Sequence, residues 1–137
     1  MNLSTRKFQI LIALLILAIA TLACGGSVST ANISSAKMFA DSEGTQETTV
    51  YAQDQPFYCI VELANAPDDT TLKAVWTAVE AEGTEPNLVI DDAEITAGNE
   101  NVFTFDLTNN GLWPIGKYKV DLYLNGELDR TLEFEVQ

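Results

Sequence analysis

The clearest pattern in the chain is an alternation of apolar and polar residues close to its C-terminus. In residues 117–124, one side carries Tyr118, Val120, Leu122 and Leu124, and the other carries Lys117, Lys119, Asp121 and Tyr123. A period of two is typical of a β-strand with one buried face. A second alternating segment follows Asn125-Gly126, a pair that tolerates positive φ at both positions and strongly favours a hairpin turn. The sequence therefore predicts a β-hairpin over residues 116–136.

The two arms of this hairpin fit together only if the pairing is distorted near the turn. A plain two-residue turn would place Leu132 opposite Lys119, on the wrong face, because a slip of one residue reverses every side chain. We therefore predict either a three-residue loop over residues 125–127 or a bulge beside the turn. Val120 then faces Leu132 in the interior and Lys119 faces Glu133 outside. Each such pair contributes about 0.2–1 kcal/mol.

Short alternating segments separated by turn signals also fill the preceding part of the chain. They are residues 36–41 with 48–52 as one broken strand, then 56–64, 72–81, 88–96 and 102–107. We predict no helix outside the first 23 residues. Seven short strands in about 100 residues are typical of a two-layer sandwich. The predicted fold class is all-β, a single antiparallel β-sandwich.

The charge of the chain excludes some classes of partner. Its 7 Lys and Arg residues stand against 20 Asp and Glu residues, the net charge is -13, and there is no His. Proteins that bind nucleic acid concentrate Lys and Arg, so we expect no nucleic-acid partner. The same acidity argues against flat attachment to anionic lipid, and an acidic surface of this kind is typical of a soluble domain.

Residues 1–23 have the three-part layout of a secretory signal. Arg6 and Lys7 form a positive start, residues 10–20 form an apolar run, and small residues precede Cys24. The run is shorter than the ~20 residues that span a bilayer comfortably. An uncleaved membrane anchor is the alternative interpretation of this segment.

The layout resembles the signal of bacterial lipoproteins. The resemblance implies cleavage before Cys24, acyl chains on that cysteine and a position outside the cytoplasm on a bacterial membrane. Residues 24–35 are then the lipidated cysteine and a flexible linker, and residues 36–137 are the folded domain. Removal of Arg6 and Lys7 leaves 5 basic residues against 20 acidic ones, a net charge of -15.

The domain itself resembles immunoglobulin-like sandwiches. Cys59 falls in the second strand and Trp76 in the third, where that class places a cysteine and a core tryptophan. Tyr118 has the place of the tyrosine corner, and Val120 stands where the partner cysteine would be. The resemblance thus implies the sandwich without its inter-sheet disulfide, and a fibronectin-III-like sandwich fits nearly as well.

The residues with reactive side chains do not form a recognisable catalytic set. Cys59 lies on an apolar strand face, and without His the chain lacks the usual base of a serine or cysteine nucleophile. We therefore expect Cys59 in the core and no enzymatic activity. Zinc is not expected, and calcium remains the one metal that loop carboxylates leave open. We expect no cofactor other than the acyl lipid on Cys24.

Two aromatic residues are candidates for contact with a partner. Trp113 is either an exposed anchor or a plug that closes one end of the sandwich above Tyr118. Tyr123 is expected on the outward face of the hairpin sheet. An immunoglobulin-like topology would place Trp113 at the end of the domain opposite the tether, and we expect that end to face the partner.

The sequence favours a membrane-tethered, extracytoplasmic binding or accessory module without catalytic activity. Its partner would be a protein or a glycan. A structural envelope protein without a specific ligand is the alternative. The oligomeric state is open, because exposed strand edges could pair with a second copy.

Overall fold

The computed structural model describes residues 30–137, so the signal segment, Cys24 and most of the predicted linker lie outside the described residues. Eight strands form there: β1 (Asn32–Phe39), β2 (Val50–Tyr51), β3 (Phe57–Ala64), β4 (Thr71–Ala81), β5 (Leu88–Thr96), β6 (Val102–Leu107), β7 (Gly116–Leu124) and β8 (Glu127–Val136). Residues 30–137 contain no helix, and hence none that is long and apolar enough to cross a membrane.

The strands form two facing sheets, which confirms the predicted all-β sandwich. One sheet has the order β1-β3-β6 and the other has the order β2-β8-β7-β4-β5. The predicted broken first strand is β1 and β2, and its two halves belong to different sheets. β1 pairs antiparallel with β3, whereas β2 pairs parallel with β8. The break is held by Asp41, whose carboxylate accepts hydrogen bonds from the backbone of Thr45 and Gln46.

The core lies between the sheets and contains the inward-facing residues that the alternation predicted. Fully or almost fully buried side chains include Phe57, Cys59, Val61, Leu72, Ala74, Trp76, Phe105, Tyr118, Val120 and Leu122. Phe57 is at the centre of an aromatic group, with ring centroids 4.5 Å from Trp113 and 4.7 Å from Phe134. Burial of this apolar surface is the main force that holds the two sheets together.

The hairpin has the predicted bulge beside a two-residue turn. Asn125 and Gly126 both have positive φ (50° and 83°), and Leu124 pairs with Glu127. The register then shifts by one residue at Asp129. Beyond the bulge, Val120 pairs with Leu132, as predicted. Burial of the apolar face therefore determines the register, and the extra residue absorbs the mismatch.

The first strand begins earlier than the sequence pattern indicated. β1 starts at Asn32, so four residues assigned to the linker belong to the sandwich. Ile33 is buried and pairs with Leu63 of β3. Its carbonyl also accepts a hydrogen bond of 2.8 Å from the Arg130 guanidinium on β8, which ties the two sheets together. The residues around Ile33 are small and polar, so the sequence pattern did not indicate a strand here. The strand forms because it pairs with β3, which is distant in the sequence.

The loops cluster at two ends of the sandwich, as expected from the topology. The proximal end carries residue 30, the loops 65–70 and 97–101 and the hairpin turn; Thr30 Oγ1 donates to the Asn65 carbonyl there. The distal end carries the loops 52–56, 82–87 and 108–115, and the Trp113 amide donates to the Gln53 carbonyl at 2.8 Å. Four acidic residues lie exposed at the proximal end: Asp68, Asp69, Glu100 and Glu127.

Candidate functional site

Trp113 closes the distal end of the core and is not an exposed anchor. Its side chain is only 6% exposed and its ring stacks on Phe57. The indole Nε1 donates a hydrogen bond of 3.0 Å to the Gln55 carbonyl, so both its apolar and polar groups are used internally. Of the two interpretations that the sequence left open for Trp113, the exposed anchor is therefore wrong and the plug is confirmed. The physical reason is the gap between the sheets at this end, which a large ring fills.

The loop that carries Trp113 is fixed at several points. The Gln53 amide group donates to the Trp113 carbonyl at 3.0 Å. The Tyr118 hydroxyl donates to the Pro114 carbonyl at 2.6 Å, four residues upstream, which is the contact expected of a tyrosine corner. Burial raises the pKa of this phenol, so the hydroxyl keeps its donor proton at neutral pH. The loop backbone is thus held rigidly against the core.

The same loop exposes two other apolar side chains, Leu112 (64%) and Ile115 (40%). They flank the buried Trp113 and the half-buried Pro114. Ile115 borders a cleft of about 490 Å³ that is also lined by Glu80, Ala81, Glu82, Gly116 and Lys117. We call Leu112, Ile115 and this cleft the distal patch. Sequence reasoning missed the two aliphatic residues because the loop has no periodicity, and only contacts across the end of the sandwich decide which side chain turns inward.

Tyr123 lies on the outward surface of the five-stranded sheet, as predicted, and is partly exposed. In the sheet it pairs with Lys73 on β4 and with Leu128 on β8. We call this surface the outer face; its other members are Val50, Val75, Thr77, Val79, Glu80, Val89, Asp92, Glu94, Lys117, Lys119, Asp121, Thr131, Glu133 and Glu135. A groove of about 370 Å³ crosses its distal half between Val50 and Val79.

The outer face differs in charge from the rest of the domain. It carries three lysines and six carboxylates, a net charge of -3, whereas the rest of residues 30–137 carries two cations and fourteen carboxylates. At its centre, Asp121 accepts a hydrogen bond of 2.5 Å from Thr131 Oγ1 and lies 3.2 Å from Lys119 Nζ. The outer face is therefore nearly neutral on a strongly acidic molecule.

The reactive residues named from the sequence lie in the core. Cys59 is a free, fully buried thiol, and burial raises its pKa to about 12. It is therefore protonated at neutral pH and a poor nucleophile. Trp76 is 2% exposed and contacts Phe134 at a centroid distance of 6.0 Å. Within the described part of the chain, the structure brings together no group of three metal-ligating side chains.

Comparison with known proteins identifies the fold. No protein family and no curated protein matches the sequence. Among solved structures, the chain is similar to an immunoglobulin-like protein from Pseudomonas aeruginosa, with a TM-score of 0.55 and 15% identity over 82% of this chain and 100% of that chain. It is also similar to part of the alkylpurine DNA glycosylase AlkC of Pseudomonas fluorescens (TM-score 0.51, 18% identity, 85% of this chain) and of a β-glucosidase from Listeria innocua (TM-score 0.50, 19% identity, 82% of this chain).

The chain spans 33% of the glycosylase and 17% of the β-glucosidase. At these identities, the similarity shows the fold alone. Together with the strand order and the tyrosine-corner contact, it establishes that residues 30–137 form an immunoglobulin-like β-sandwich.

Proposed function

We propose that this protein is a membrane-tethered, extracytoplasmic binding module without catalytic activity, and that its distal patch binds a partner protein. The observation that carries the proposal is the exposure of Leu112 and Ile115 on a loop that Trp113 anchors in the core. A rigid loop loses little conformational entropy on binding. The favourable free energy of contacts with its exposed apolar side chains is therefore offset less than in a flexible loop, and the affinity is higher.

The tether follows from the features of residues 1–24. The signal-like segment and Cys24 support lipidation, and two or more acyl chains provide stable attachment. Asn32 lies beside Ala64 at the proximal end, so the chain reaches the sandwich from the side opposite the distal patch. Strands of nine residues separate the two ends by about 30 Å.

The chemistry of the distal patch indicates the kind of partner. Its apolar residues adjoin Glu80 and Glu82, and the chain as a whole is strongly acidic. A protein surface with an apolar centre and Lys or Arg at its rim complements this arrangement. We favour a protein over a glycan because the exposed groups here are aliphatic side chains, whereas Trp113, the aromatic ring of this loop, is buried.

The test of the binding function is crosslinking and affinity capture from native membranes with the tagged full-length protein. The test variant is Leu112→Asp with Ile115→Asp. The matched control is Val102→Asp, because Val102 is 49% exposed at the opposite end. We expect a partner captured by the unmodified protein and by the control but not by the double variant. A partner retained by all three contradicts the distal patch.

Two further outcomes have defined meanings. Capture of no specific partner would refute the binding function and favour a structural envelope protein, for which the 20 acidic residues provide a solvated layer. A captured ligand that resists protease digestion would be a glycan. The tether is tested separately with Cys24→Ser: we expect fatty-acid labelling of the unmodified protein and none of the variant, and equal labelling of both, or labelling of neither, would refute lipid anchoring at Cys24.

A further inference from the structure

In the distal half of the outer face, the order of apolar and charged side chains across the strands is complementary to itself when one copy is turned onto another. Across four adjacent strands at the level of the groove, Glu80 on β4 pairs with Lys117 on β7, which pairs with Glu135 on β8, which pairs with Val50 on β2. Val79, the extra residue of the β4 bulge beside Glu80, lines the groove of about 370 Å³ together with Lys117, Glu135 and Val50. Within the groove the order across the strands is therefore apolar, cationic, anionic and apolar, and the carboxylate of Glu80 adjoins the apolar residue on β4.

We propose that the outer face binds a second copy of this chain, with a twofold axis that runs parallel to the strands between β7 and β8. This operation places β7 of one copy over β8 of the other, and β4 over β2. Lys117 then faces Glu135 of the second copy, and Val79 faces Val50. The interface is isologous, so each of these contacts occurs twice.

The next rows extend the match. Lys119 is level with Glu133 and Asp121 is level with Thr131 across β7 and β8. The twofold operation therefore sets Lys119 over Glu133 of the second copy and Asp121 over Thr131, a carboxylate over a hydroxyl. Long lysine and glutamate side chains can bridge the ~10 Å between packed sheets. No row that crosses the axis places like charges against each other.

The order of the charges, and neither the net charge nor the area, favours this face over the others. The outer face has a net charge of -3 and the outward surface of the three-stranded sheet, with Lys37, Glu62 and Asp106, has -1, so net charge does not select between them; the outer face is distinguished by rows in which opposite charges meet across the axis. β4, β7 and β8 are 11, 9 and 10 residues long. Because only the two residues of β2 lie over β4, the facing area is that of β7 and β8 with two residues of β4 and of β2, roughly 350 Å² of sheet. This is below the ~800 Å² per partner of a standard interface and corresponds to a weak association.

The direction of the axis has a consequence for attachment. Because it is parallel to the strands, both proximal ends lie on one side of the dimer and both distal patches on the other. This is the arrangement that two copies anchored in one membrane require, and this step rests on the proposed function. The two distal patches would then engage a partner bivalently.

A charge-swap experiment tests the interface. Two full-length copies with different affinity tags are co-expressed and solubilised in detergent, and recovery of one tag with the other is measured. One variant is Lys117→Glu with Lys119→Glu, and the other is Glu133→Lys with Glu135→Lys. We expect each variant to lose self-association at least tenfold, because like charges then face each other. Co-expression of the two variants restores opposite charges at every facing position. We therefore expect the two variants to associate with each other as strongly as two unmodified copies do.

The matched control is Glu62→Lys with Asp106→Lys on the three-stranded sheet. This control changes the net charge by the same amount as Glu133→Lys with Glu135→Lys. It should keep self-association, and circular dichroism should show that all variants are folded. An unmodified protein that does not self-associate, or a charge swap that fails to restore pairing, overturns the proposal. Leu112→Asp with Ile115→Asp should leave self-association unchanged. Lost self-association with retained partner capture by Glu133→Lys with Glu135→Lys, neither of which lines the distal patch, would thus separate this interface from the distal patch.

Discussion

Replacement of Trp113 by alanine should destabilise the fold, because this residue is a plug and not a surface anchor. The side chain is 6% exposed, stacks on Phe57 at 4.5 Å and donates to the Gln55 carbonyl. Truncation of a buried tryptophan costs about 3–5 kcal/mol, which includes the lost stacking and the cavity that remains. The Gln55 carbonyl also loses its donor. We expect the free energy of unfolding to fall by about 4 kcal/mol.

Trp113→Phe separates these contributions. Phenylalanine can keep the stack on Phe57 but cannot donate to the Gln55 carbonyl, so we expect a loss of about 1–2 kcal/mol. Leu112→Ala is the control in the same loop; since this side chain is 64% exposed, its loss should lie within about 0.5 kcal/mol. Equilibrium urea unfolding followed by circular dichroism measures all three. If Trp113→Ala loses no more than Leu112→Ala, the plug assignment is wrong.

Three further substitutions test other parts of the fold. Gly116→Ala should lower the free energy of unfolding by more than 2 kcal/mol, because its Cβ would overlap the backbone of Ala81 at the irregular β4–β7 pairing; wild-type stability would contradict this. Arg130→Ala should cost about 1–2 kcal/mol, because the Ile33 carbonyl loses its charged donor, and Arg130→Lys should restore only part of it. Cys59 has a pKa raised to about 12, so its contribution to stability is intact below pH ~9 and declines by about 1.4 kcal/mol per unit as pH rises towards 12. Cys59→Val should reduce this slope in alkaline unfolding curves, and an identical slope would refute the assignment.

In the candidate site, tertiary contacts and not residue types decide which side chains are exposed. In the loop 108–115, tryptophan was the conspicuous candidate for an exposed contact, yet Leu112 and Ile115 are the side chains that reach solvent. The direction of each side chain depends on the gap between the sheets and on the Gln55 carbonyl, which is 58 residues away in the sequence. Local pattern carries no information about either.

The sequence by itself determined the features that repeat with a period of two. Alternation located the later strands and their inward faces, and the conflict between Asn125-Gly126 and the apolar face of β8 predicted a distortion that the structure shows as a bulge. These predictions succeed because burial of an apolar face is a local requirement on every second residue.

Only the tertiary structure decided what depends on distant partners. It started β1 at Asn32 through pairing with β3, placed the halves of the first strand in different sheets, and turned Trp113 inward. It also paired Lys117 with Glu135 and brought Val50 and Val79 from separate strands to the same groove. Such pairings arise from the register between strands, and a register is a property of paired strands that no single segment contains.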